Sequence, residues 1–155
     1  MKTIKKQPAT AGFTLIEILI VIGIIAILAA IVLVAVNPAK QFAKANNAQR
    51  SSNLNAILNA VGQYTVDNKG TLPGGITTGT AKQIASGSGN ANICSDLVAN
   101  FLPALPADPG QADQSIDKTE CTSYTTGYTI SKDSDNRVTI NAPSAEDGVT
   151  LSVTR

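Results

Sequence analysis

The 155-residue chain contains no histidine and no tryptophan, and only 4% of its residues are aromatic. The absence of histidine removes the commonest general base and the commonest zinc ligand. No nucleophile, base and orienting group can be assembled from the remaining spacing, and no glycine-rich phosphate cradle is present. The expectation is a protein that is not an enzyme and carries no cofactor. Charge is also scarce, at 15% of residues with a formal net of +1. Lys2, Lys5 and Lys6 stand at the N-terminus and Glu17 follows, so residues 39–155 carry nine basic and ten acidic groups. That balance offers no basic face for nucleic acid.

There are two cysteines, Cys94 and Cys121, and no CxxC pair. In an exported domain two cysteines read as one disulfide. In a reducing compartment they would be two buried thiols.

Charge is most completely missing from residues 18–36, where no side chain is charged or forms hydrogen bonds. A helix of that length spans about 28 Å, just enough to cross a hydrocarbon core of roughly 30 Å. Residues 1–12 are basic and free of acid, which places them in the cytoplasm and the C-terminal part outside. The layout is that of a signal sequence, but no A-x-A site follows the apolar run. Instead Gly12 precedes it, where a cut would leave the helix on the mature chain. Glu17 is the one acid at the edge of the segment, and an acid there is costly enough to imply a function.

Gly12-Phe13-Thr14-Leu15-Ile16-Glu17, after a short basic leader and before an apolar helix, resembles the processing motif of type IV pilins and type II secretion pseudopilins. The resemblance is strong over residues 1 to 66. It implies cleavage by prepilin peptidase between Gly12 and Phe13, N-methylation of the Phe13 amine, and pairing of Glu17 with the Phe13 amine of a neighbouring subunit. An amine and a carboxylate are each expensive in a dry core when alone, so pairing between chains would reward registration. Thr14 belongs to the same motif, and Gly23, Ala26 and Ala30 form a small-residue stripe that could seat a neighbouring helix. The implied partners are other copies in a helical filament, the inner-membrane peptidase and assembly machinery, and the membrane in the precursor. The implied location is a single-pass inner-membrane protein with a cytoplasmic N-terminus, then an extracellular or periplasmic filament. The major pseudopilin of a type II secretion pseudopilus and a monomeric membrane-anchored binding module are the alternatives.

The expected fold is α+β, a long N-terminal helix packed on a small antiparallel sheet of about three strands. The chain divides into a leader (1–12), a transmembrane and filament-core helix (13–36), its amphipathic continuation (37–69) and a loop-rich globular part (70–155). At Asn37-Pro38 either a new helix starts with proline in its first turn or one helix bends. Leu54, Ile57, Leu58, Val61 and Tyr64 recur at helical spacing and form one apolar stripe. Residues 70–93 read as loop, with a helical turn over 81–85. Residues 94–102 read as a short helix with Ser95 as its cap. Strands are expected at 124–130, 137–141 and 149–154, with a turn over 132–136 and another at Asp147-Gly148. Asp108, Asp113, Asp117, Asp133 and Asp135 offer loop oxygens. By resemblance to major pseudopilins they suggest calcium, but the spaced ligand pattern with a closing glutamate is absent.

Overall fold

A computed structural model describes residues 12–155. The leader expected at 1–12 therefore lies, except for Gly12, outside the described residues. The chain forms two compact units, up to Ala39 and from Lys40 onward.

The first unit is helix α1 (Leu15–Val36). Its segment Leu15–Leu33 is long and apolar enough to cross a membrane, and none of it is buried within the chain. Nothing in the sequence gives this helix a polar face, so it has no preferred side for a water-soluble core. It ends at Asn37, whose backbone is left-handed (φ 41°). Asparagine tolerates that conformation better than most residues. Helix α2 (Pro38–Asp67) starts at the next residue, with proline in the first helical position, where its missing N–H costs nothing. Of the two alternatives at Asn37-Pro38, the structure takes the first: a new helix starts with proline in its first position, after one left-handed residue.

In the second unit, α2 lies under an antiparallel sheet. The sheet contains β1 (Lys82–Ala85), β4 (Thr125–Lys132), β5 (Val138–Ala142) and β6 (Leu151–Thr154), in the order β1-β4-β5-β6. A two-stranded ladder pairs β2 (Leu105–Pro106) with β3 (Ser115–Ile116). Alternation sets the buried face: Thr126, Tyr128 and Ile130 on β4, and Val138, Ile140 and Ala142 on β5. The apolar members join Leu54, Ile57, Leu58 and Val61 of α2 in one core. The three C-terminal strands fall within two residues of their expected places. At the β5–β6 turn, Asp147 and Gly148 are both left-handed (φ 58° and 69°).

Three expectations are corrected. The sheet has four strands rather than about three. The fourth is β1, at residues read as a helical turn: Lys82 pairs with Ile130 and Gln83 with Thr129, and Ile84 and Ala85 are buried. The helix expected over 94–102 stops early, as α3 (Cys94–Leu97), because Val98 is extended and Ala99 is left-handed (φ 81°). Ser95 does not cap it. The N-cap position is Ile93, with no side-chain cap bond, and the Cys94 N–H donates to the Tyr124 hydroxyl at 3.3 Å.

Candidate functional site: the capped apolar helix and the domain it carries

The sequence TLIE at the start of α1 has the form of a capping box, in which Ser or Thr is followed three residues later by an acid. The structure forms it. Glu17 Oε2 accepts hydrogen bonds from the Thr14 N–H (2.7 Å) and the Thr14 hydroxyl (2.8 Å). The Thr14 hydroxyl oxygen in turn accepts from the Glu17 N–H at 3.3 Å. Two of the backbone donors left over at a helix start are thus satisfied within the chain. Thr14 has a local job that the motif alone did not assign to it. The signal was in the sequence, in the spacing of Thr14 and Glu17.

Phe13 is 86% exposed at the head of this box. Gly12 is also exposed, and a Cβ placed on it would meet nothing within 4 Å. Gly23, Ala26 and Ala30 are exposed along α1. At 100° per residue they fall within about 60° of one another, on one face.

The second unit is held by a buried polar cluster that the sequence did not reveal. Arg50 on α2 is 3% exposed and Asp108 is 1% exposed. Arg50 Nε donates to Asp108 Oδ2 at 2.7 Å, and Nη2 to Oδ1 at 3.1 Å. This fork-to-carboxylate geometry is the strongest form of such a pair. Arg50 Nη1 donates to Glu146 Oε1 (2.9 Å) and to Asn47 Oδ1 (3.1 Å). Burial pushes the Asp108 carboxyl up, but hydrogen bonds from Arg50 and from the Gly110 N–H outweigh it and leave the group below the ordinary carboxylate range. The Asp108 hydrogen bond holds the Arg50 guanidinium above its already high ordinary value. The Asn46 amide, then Arg50, holds Glu146 below the ordinary range.

Asn53, one turn along α2, donates to the Ala107 carbonyl and to the Tyr128 hydroxyl, both at 2.9 Å. The β5–β6 loop is gripped by Asn47, which bonds both the N–H and the carbonyl of Glu146. Among the described residues no buried side-chain nitrogen or oxygen lacks a partner. Cys94 and Cys121 form a disulfide with Cα atoms 5.4 Å apart. It ties α3 to the turn that precedes β4.

The five aspartates are not brought together. Asp108 is committed to Arg50. Asp117 accepts from Thr119, and Asp133 from the Arg137 N–H and side chain, and these bonds hold both carboxyls low. Among the described residues no group of three His, Cys, Asp or Glu side chains could hold a metal ion.

An apolar helix long enough to cross a membrane, with an acid-capped start, precedes a separate α+β unit, which is the layout of a single-pass anchor. Residues 8–33 match the family described as the prokaryotic N-terminal methylation motif. The chain therefore carries the prepilin-type signal of type IV pilins and pseudopilins, which implies processing by prepilin peptidase. No curated protein and no solved structure matches the chain.

Proposed function

We propose that the chain is a structural subunit that is cleaved between Gly12 and Phe13, N-methylated on Phe13, and assembled into a helical surface filament whose core is bundled α1 helices. The observation that carries this reading is the prepilin-type signal over residues 8–33, set on a helix whose segment Leu15–Leu33 has nothing buried within the chain. Such a helix is at ease in lipid but needs other apolar partners once it leaves the bilayer. A bundle of identical helices supplies them.

Glu17 has two partners in this account. In the uncleaved chain its carboxylate is engaged by Thr14. Cleavage would create an amine at Phe13, and Glu17 of one copy pairs with the Phe13 amine of the next. A pair inside a dry core removes the penalty of two isolated charges at once. Gly23, Ala26 and Ala30 give a face on which a neighbouring helix can approach closely. The test is Glu17→Ala. Leader cleavage should proceed and filament yield should collapse; normal cleavage with undiminished yield would sink the assembly role of Glu17. Recovery of the wild-type chain in sheared surface filaments would support a pilus, and its retention in the periplasm a pseudopilus.

A further inference from the structure

We propose that the second unit carries its own subunit-to-subunit joint, in which Phe42 of one copy inserts into a groove at the C-terminal end of α2 in the next. The inference rests on the filament reading and deepens it by naming a contact outside the α1 core.

In the unit from Lys40 onward, the large apolar side chains left exposed among the described residues are Phe42, Val66 and Val149. Phe42 is 71% exposed on α2, and Val66 is 80% exposed on the same helix. Val66 borders a groove of about 640 Å³ that includes Gly62, Asp67, Asn100, Phe101 and Arg155. Gly62 opens the groove: a Cβ built there meets nothing within 4 Å. A glycine in the middle of a helix normally costs stability relative to alanine, so an empty space beside it asks for an occupant.

The walls suit an aromatic ring. Phe101 is fixed edge-on against Tyr64, with ring centroids 5.8 Å apart, and a third ring could extend that pair. Arg155 is held in place by a 2.6 Å hydrogen bond from Nη1 to Asn59 Oδ1. Its guanidinium can face a ring as a cation does.

Charge fits the same register. The knob and the groove lie twenty residues apart on one helix, about 30 Å along its axis. Two parallel copies offset by that length would bring Lys44, which has no partner among the described residues, within side-chain reach of Asp67. The contact joins two different surfaces and is displaced along an axis, so it does not close on itself and repeats into a fibre.

The test is a chain carrying both Lys44→Cys and Asp67→Cys, which keeps the Phe42 ring in place, expressed in the full length with its assembly machinery and oxidised on intact cells. A ladder of covalent multimers on non-reducing gels is expected, while either single variant gives dimers at most. Gly62→Leu puts bulk into the groove from a position whose Cβ meets no atom within 4 Å, and filament yield should fall about tenfold, the effect of losing roughly one aromatic contact. Phe42→Tyr should retain filaments where Phe42→Ala loses them. Filaments at wild-type yield without a ladder, or unchanged yield in Gly62→Leu, overturn the joint and leave the filament reading standing. Absence of both filaments and ladder in an otherwise processed chain overturns both.

Discussion

Replacing Asp108 by Asn removes one charge from the interior while keeping an oxygen to accept from the Gly110 N–H, which Asp108 Oδ1 now does at 2.8 Å. What remains is a guanidinium 3% exposed whose only anionic partner is Glu146, which is 38% exposed. Two unit charges about 4 Å apart interact by about 4 kcal/mol at an effective dielectric of 20. Breaking a buried pair by removing one partner costs roughly 3–5 kcal/mol, because the other charge is left uncompensated. That is a large part of the about 5–15 kcal/mol that holds a typical domain together. Arg50→Met alone should be costly for the mirrored reason, since it strands the Asp108 carboxylate.

The double variant Arg50→Met with Asp108→Asn leaves no stranded charge. It should recover most of the loss, giving a coupling of about 2 kcal/mol or more in the cycle. The three tyrosines, Tyr64, Tyr124 and Tyr128, all lie in the second unit. Urea unfolding of the detergent-solubilised chain, followed by tyrosine near-UV circular dichroism, therefore reads that unit without interference from α1. Single variants that each cost less than about 1 kcal/mol, or costs that simply add, would refute the reasoning from buried charge.

Acidification should act on the same cluster. Asp108 and Glu146 are held below their ordinary values in the folded chain, so their stabilisation is present above roughly pH 4 and lost as pH falls through the folded values. Stability that rises on acidification would contradict this, and Asp108→Asn should flatten the profile. Reducing the Cys94–Cys121 bridge, which spans a sequence separation of 27, should lower stability by about 3–4 kcal/mol in urea unfolding. Gly127→Ala should destabilise by more than about 1 kcal/mol, because φ is +76° and a Cβ would stand 3.0 Å from both Asp108 Cβ and Gln111 Nε2. Burial pushes the Tyr124 and Tyr128 hydroxyls up. Alkaline titration of the tyrosine absorbance should therefore place both above the ordinary value of about 10.

Local signals carried far in this chain. The apolar run, the acid near its start and the Asn37-Pro38 break are contiguous features, and the structure places a helix boundary at that break. The stripe of Leu54, Ile57, Leu58 and Val61 is periodic over two turns, long enough to read. Strand β1 was hidden because it has only four residues in a Gly- and Ser-rich stretch, and its partner β4 lies more than forty positions away. The β2–β3 ladder pairs through Pro106, a residue that cannot donate and so argues against a strand.

Arg50 stands one turn ahead of Leu54, and so it continues the buried stripe rather than opposing it. Its placement is local and legible, but its partner is not. Asp108 sits 58 residues away, in an Asp-Pro-Gly turn whose local role already explains the aspartate. The capping box is legible in the three-residue spacing of Thr14 and Glu17, a local signal that is distinct from any role of Glu17 in assembly.

The central claim is that Gly12 marks a cleavage site and that the exposed α1 helix ends in a filament. Intact-mass spectrometry of the chain recovered from sheared surface filaments tests it most directly. The account predicts a mature chain that begins at Phe13 with one methyl group on its amine and retains the Cys94–Cys121 disulfide. A chain that still begins at Met1 and is found only in the membrane fraction would contradict it.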